Sequence, residues 1–158
     1  SKTIIIASRG TVITNLKDLH MDSYVIFNNM RDNDYFKLNE LLLLKVGLKY
    51  PKHKIELTGF SLGGSISLYL LDNYKNMITK CVVFNPGISS IPYDTDVLKR
   101  YANNKNALFI IKKGDIISNG IIKYKPKNLI CLDSKELKTK ELHPVFDLYH
   151  FHTLDNFL

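Results

Sequence analysis

The sequence is short of cysteine. Cys81 and Cys131 are the only two in 158 residues, so no disulfide framework is available to hold the chain. Both lie in apolar runs that read as buried strands, where reduced core thiols are expected. Long hydrophobic runs are missing as well, and none approaches the about 18 residues that would cross a bilayer. The start, Ser1-Lys2-Thr3, passes directly into a strand-like run rather than a signal sequence. The expectation is therefore a soluble chain without signal peptide or membrane span, most simply cytoplasmic. Internal repeats and low-complexity linkers are absent, so nothing divides the chain. Its lysines are not interleaved with aromatics as in nucleic-acid reader modules, which speaks against nucleic acid as a partner.

What is present fits one globular domain over residues 1–158, with 45% hydrophobic and 23% charged residues. The formal net charge of +7 is carried mostly by lysine. Lys112, Lys113, Lys123, Lys125, Lys127, Lys135, Lys138 and Lys140 concentrate it in the later half. Such a set reads as a solvated face, or as one suited to peripheral contact with an anionic membrane surface, where each nearby lysine is worth roughly 1 kcal/mol.

Thr3-Ile4-Ile5-Ile6-Ala7-Ser8 is a near-continuous apolar run, the pattern of a strand buried in a parallel sheet. From Val12 to Asn33 the pattern breaks up, and a loop with a short strand or helix is expected. Asp34 to Lys49 predicts a helix with Phe36, Leu41, Leu44 and Leu48 near one face, stopped by Pro51. Lys80 to Asn85, Ala107 to Ile111 and Asn128 to Leu132 read as further core strands, with a helix around Pro92 to Asn104. Strands alternating with helices predict an α/β fold: three layers, a mainly parallel sheet and helices on both faces.

Among these elements lies Lys54-Ile55-Glu56-Leu57-Thr58-Gly59-Phe60-Ser61-Leu62-Gly63-Gly64. Ile55 and Leu57 alternate as in a strand, whereas Leu62, Ile66, Tyr69 and Leu70 recur at helical spacing, which puts Ser61 on the turn between them. Strand, G-x-S-x-G, helix is the pattern of a nucleophile elbow. Side chains at Gly59 and Gly63 would collide with the neighbouring strand and helix. The positive end of the helix points at the serine, and the backbone N–H of Leu62 is free to hold an oxyanion. Arg9-Gly10-Thr11 closes the first strand, and the Thr11 N–H could supply a second donor. As a bare pattern it is also an ordinary strand-to-loop turn.

In open α/β sheets, reactive groups gather beyond the carboxyl ends of the strands. Asp115, after Gly114 at a strand end, is favoured by topology over Asp94, Asp96 and Asp133. Of five histidines, His20 and His53 precede the serine, while His143, His150 and His152 follow the acid. His152 is the preferred base because it heads His-Thr-Leu-Asp-Asn-Phe, where a short helix can anchor the backbone behind the imidazole. His150 is the alternative. The order Ser, Asp, His is that of the α/β-hydrolase arrangement.

The blocks Ile4 to Thr11, Leu57 to Gly64, Val82 to Gly87, Gly114-Asp115 and His152 to Phe157 together resemble the class 3 (fungal-type) lipase family of α/β-hydrolases. The likeness spans nearly the whole chain in the right order, with Phe60 where that family usually has histidine. It lacks the elements that precede the arginine-glycine strand in full-length lipases, as a short or N-terminally truncated member would. The resemblance implies Ser61 as nucleophile, Asp115 as acid, His152 as base, and Thr11 with Leu62 as the oxyanion hole. It implies hydrolysis of carboxylic esters, including lipids, without metal or organic cofactor. Two rival readings stand beside it: a catalytically inactive lipase-like module that binds lipid or protein through the lysine-rich face, and acyl transfer by the same residues to an acceptor other than water.

Overall fold

Five runs rich in β-branched residues form one parallel sheet, and the helices between them carry the chain back from the end of each strand to the start of the next. The computed structural model describes residues 2–10, 34–88, 95–115 and 117–132, and the account that follows concerns those. The elements are β1 (Thr3–Ser8), α1 (Asp34–Lys49), β2 (Lys54–Phe60), α2 (Leu62–Asn73), β3 (Ile78–Phe84), α3 (Thr95–Asn103), β4 (Ala107–Lys112), α4 (Asn119–Ile122) and β5 (Leu129–Leu132). Among the described residues the sheet order is β1-β2-β3-β4-β5, the same as the order along the chain.

Register follows the hydrophobic pattern. Ile4, Ile6 and Ser8 lie opposite Ile55, Leu57 and Gly59, and Leu57 lies opposite Cys81, so one face of the sheet is continuously apolar. Cys81 in turn faces Ala107, and Val83 faces Phe109. The register shifts between Ile55 and Glu56, where the Thr79 hydroxyl donates to the Ile55 carbonyl. A parallel sheet one residue out of step would carry the whole apolar set to the wrong face.

Helix α2 lies across β1, β2 and β3 on that face and is buried on nearly every side: Leu62, Ile66, Leu68, Leu70 and Leu71 all enter the core. Helices α1 and α3 flank it. The Phe36 ring of α1 meets Tyr69 of α2 edge to face at 4.8 Å, and the Tyr74 hydroxyl beyond α2 donates to Glu40 of α1 at 2.6 Å. On the other flank Arg100 of α3 pairs with Asp72 at 3.2 Å.

Two expectations need correction. The buried face of α1 is Phe36, Asn39 and Leu43, whereas Leu41, Leu44 and Leu48 are exposed. Leucines nearly encircle this helix, so periodicity could not select a face, and contacts with Tyr69 and with the end of β1 select it instead. Cys81 is buried as expected, but Cys131 is exposed. Its strand, β5, is the last of the sheet, and only one of its edges is paired among the described residues. The strands β1 and β4 and the helix α1 otherwise run where the sequence predicts them. The short α4 was not predicted.

Candidate active site

Four chain segments meet at the carboxyl edge of the sheet: the end of β1, the β2–α2 turn, the residues that follow β3 and those that follow β4. The β2–α2 turn is the tightest. Ser61 has φ 52° and ψ −121°, a conformation rarely taken by a residue with a side chain and costing on the order of 1–3 kcal/mol. Three backbone hydrogen bonds contribute to holding it there. The Ser61 N–H donates to the Phe84 carbonyl at 3.1 Å, and the Ser61 carbonyl accepts from the N–H groups of Ser65 (3.1 Å) and Gly87 (2.9 Å).

The glycines around the serine are required by close backbone approach. A methyl on Gly59 would collide with the Gly63 carbonyl, and one on Gly63 with the carbonyls of Ser8 and Arg9. The first turn of α2 therefore lies directly on the end of β1. A methyl on Gly10 would stand 3.1 Å from the Ser61 Cβ and 2.9 Å from the Phe60 carbonyl oxygen. The arginine-glycine turn is thus brought alongside the serine.

That turn is also fixed from the side of α1. The Ser8 hydroxyl donates to the Asn39 side-chain oxygen at 2.7 Å, the Asn39 amide donates to the Tyr35 carbonyl at 2.7 Å, and the Tyr35 hydroxyl donates to the Arg9 carbonyl at 2.9 Å. Ser8 and Asn39 are both buried. Sequence reasoning missed this clamp. Its only trace was an asparagine amid the leucines of an otherwise apolar helix.

Asp115 is fully buried at the end of β4. Its carboxylate accepts from the Ile117 N–H at 2.9 Å and from the Ser118 hydroxyl at 2.9 Å. The same hydroxyl lies 3.2 Å from the Pro86 carbonyl, one residue before the Gly87 N–H that holds Ser61. Ser61 and Asp115 are therefore tied to one Pro86-Gly87 segment. Asn85, buried with φ 39°, completes the frame: its N–H donates to the Ile110 carbonyl and its side-chain oxygen accepts from the Lys112 N–H at 2.8 Å. Ser118 and Asn85 were not singled out from sequence, and the Asn-Pro-Gly run after β3 was the available signal. Burial pushes the Lys112 ammonium below its ordinary range, while the nearby Asp115 carboxylate pulls it back up.

Ser61 exposes 1% of its surface, and Leu62, whose N–H is the expected oxyanion donor, 7%. The expected second donor Thr11, the expected base His152 and its alternative His150 lie outside the described residues, as do His20 and His143. His53, which is described, lies before β2, at the opposite end of that strand from Ser61. Among the described residues no three His, Cys, Asp or Glu side chains come together as metal ligands would.

No protein-family model matches the chain, and no curated protein matches it in sequence. Solved structures do. A protein described as a YdeN-like hydrolase, from Pectobacterium atrosepticum, is similar with a TM-score of 0.50 at 13% identity, over 84% of this chain and 77% of that one. Est1E from Butyrivibrio proteoclasticus is similar with a TM-score of 0.51 at 11% identity, over 84% of this chain and 77% of that one. The fold is that of the α/β-hydrolases. In an α/β-hydrolase the strand-to-helix turn after a central strand presents the residue at its apex to the carboxyl edge of the sheet, and here that residue is Ser61. At identities this low the likeness speaks for architecture alone.

Proposed function

We propose that the chain is a serine hydrolase that cleaves carboxylic esters, lipid esters among them, through an acyl-enzyme on Ser61. The observation that carries the reading is the backbone of Ser61, held at positive φ by backbone hydrogen bonds to Phe84, Ser65 and Gly87 at the mouth of α2. A strained conformation maintained at this expense is what a nucleophile on a sharp turn requires. The blocks resembling class 3 lipases support a lipid ester as substrate.

In this mechanism His152 takes the proton from the Ser61 hydroxyl as its oxygen bonds to the ester carbonyl carbon. The N–H groups of Leu62 and Thr11 hold the resulting oxyanion, each worth roughly 3 kcal/mol in the transition state. The carbon–oxygen bond to the alcohol then breaks, and the alcohol leaves with the proton from His152. Water, deprotonated by the same imidazole, releases the acid and restores Ser61. Asp115 holds the imidazole in the tautomer that accepts from serine and stabilises its protonated form. The Ile117 N–H and the Ser118 hydroxyl donate to the Asp115 carboxylate and fix its orientation at the end of β4.

The test is fluorophosphonate labelling with a nitrophenyl butyrate assay. Wild type is expected to label on Ser61 and to hydrolyse the ester, and Ser61→Ala to lose about 10⁴- to 10⁶-fold in turnover. His152→Ala should fall comparably, and His150→Ala by less than about tenfold. A Ser61→Ala protein as active as its parent overturns the proposal, and so does an unlabelled, inactive wild type, which leaves a binding module on a hydrolase-like fold.

A further inference from the structure

Helix α1 carries more leucine than its inner face can use. Phe36, Asn39 and Leu43 fill the contact with the rest of the molecule. On the side turned away, Leu38 is 62% exposed, Leu41 48%, Leu42 46% and Leu48 83%. At 100° per residue, Leu38, Leu42, Lys45 and Lys49 fall within a 60° arc, with Leu41 and Leu48 on its flank. Scattered surface leucines are ordinary, but four on one side of one helix form a contiguous apolar strip.

The charges on that strip decide what covers it. Lys45 and Lys49 are exposed within it. The only carboxylates of α1 are Asp34, in the first turn beside Lys37, and Glu40, which accepts the Tyr74 hydroxyl on the inner flank. A second copy of the chain would bring the same leucines and lysines with Asp34, already beside its own Lys37, as the one exposed acid of the helix, and burying Lys45 against leucine would strand a charge in an apolar contact. An anionic lipid surface suits both parts. Leucines enter the acyl boundary while lysines lay their methylene stems along it and raise their ammonium groups to the phosphates. We propose that the outer face of α1 docks this protein on anionic bilayers.

The position of the strip relates it to the site without depending on it. Leu38 is one turn from Tyr35, whose hydroxyl holds the Arg9 carbonyl in the turn beside Ser61. The docked helix therefore has the carboxyl edge of the sheet at one end of the contact. The proposal concerns binding alone and stands whether or not Ser61 is a nucleophile.

The experiment is flotation of the whole chain with two vesicle preparations, phosphatidylcholine alone and phosphatidylcholine with 30% phosphatidylglycerol, at low and high salt. Wild type is expected to float with the anionic vesicles, to release by about tenfold at high salt, and to ignore the neutral ones. Leu38→Ser combined with Leu42→Ser should lower the bound fraction by about tenfold or more, and Lys45→Glu combined with Lys49→Glu should do the same. All four positions are exposed, so the variants are expected to keep the parent melting temperature, which circular dichroism checks. Ser61→Ala should float as wild type does, which separates this proposal from the catalytic one. Equal flotation of parent and strip variants overturns it. So does a dimer by light scattering that the leucine substitutions dissociate, since that would make a second copy the occupant.

Discussion

The Ser8 hydroxyl donates to the side-chain oxygen of Asn39 across 2.7 Å and so fastens the last residue of β1 to the middle of α1. With the Tyr35 hydroxyl on the Arg9 carbonyl, it fixes the turn that Gly10 carries past Ser61. Asn39→Ala removes the acceptor for Ser8 and the donor to Tyr35, at a stability cost of about 1–3 kcal/mol. If the turn delivers an oxyanion donor, its misplacement acts on the transition state more than on the bound ester. The expected result is a kcat for nitrophenyl butyrate lower by about tenfold or more with KM within about twofold. Asn39→Asp keeps the acceptor and should recover part of the loss. A purely structural asparagine would alter stability and leave kcat per folded molecule unchanged.

Ser61 holds a backbone conformation that glycine adopts at little cost and alanine does not. Ser61→Gly and Ser61→Ala should both be inactive, yet differ in stability. The glycine variant is relieved of roughly 1–3 kcal/mol of strain, offset by about 0.5–1 kcal/mol of extra chain entropy in the unfolded state. It is expected to be at least as stable as the alanine variant in urea denaturation. A markedly less stable glycine variant would argue that the turn is relaxed in solution.

Ser118 donates one of the two hydrogen bonds that reach the buried Asp115 carboxylate from neighbouring residues. Ser118→Ala leaves that oxygen short of a donor where water cannot replace it. A loss of about 1–3 kcal/mol is expected by denaturant titration, together with lower ester hydrolysis as the carboxylate shifts. Ser118→Thr keeps the hydroxyl and should restore both in part.

Burial raises the Cys81 thiol far above its ordinary value of 9.0 and the Tyr101 phenol far above 10.0. For Tyr101 the Asp72 carboxylate and Tyr69 push the same way, and Arg100 partly opposes them. Both groups stay protonated in the folded chain where the unfolded chain ionises them. Their contribution to stability is thus fully present below about pH 9 and is lost as pH rises, by up to about 1.4 kcal/mol per unit and per group. Urea titrations between pH 8 and 11 should show a decline that steepens above pH 10. Cys81→Ala should remove the part that begins near pH 9. A thiol reagent at pH 8 should titrate the exposed Cys131 quickly and Cys81 only after unfolding.

Much of the architecture was legible because it is written locally. Thr3 to Ser8 is apolar throughout, Asp34 and Pro51 bracket α1, and the glycines at 59 and 63 admit only a close strand-to-helix turn. What escaped reading depends on partners far along the chain. Leucines at 41, 42, 43 and 44 point to all sides of α1, and Tyr69, thirty-three residues from Phe36, together with Ser8 at the end of β1 decides which side is inner. The bonds of Ser8 to Asn39 and of Ser118 to Pro86 span 31 and 32 residues and leave no periodicity. Cys131 read as core because Leu-Ile-Cys-Leu is apolar, but among the described residues β5 is paired on one edge only and has fewer neighbours to hide behind. Of the expected site, Ser61, Leu62 and Asp115 are on the carboxyl edge as the topology rule requires. Thr11 and His152 rest on sequence order.

Strand order that copies chain order has a further consequence for how the molecule is made. Each strand leaving the ribosome finds the edge of its predecessor already exposed, so the sheet can lengthen step by step without waiting for distant sequence. The serine turn is an exception to this running order. Two of its latches, the Phe84 carbonyl and the Gly87 N–H, emerge more than twenty residues after Ser61 itself. A nascent chain halted near Asn76 would carry the serine but neither latch, so the positive-φ conformation of Ser61 is set only when synthesis has passed Gly87.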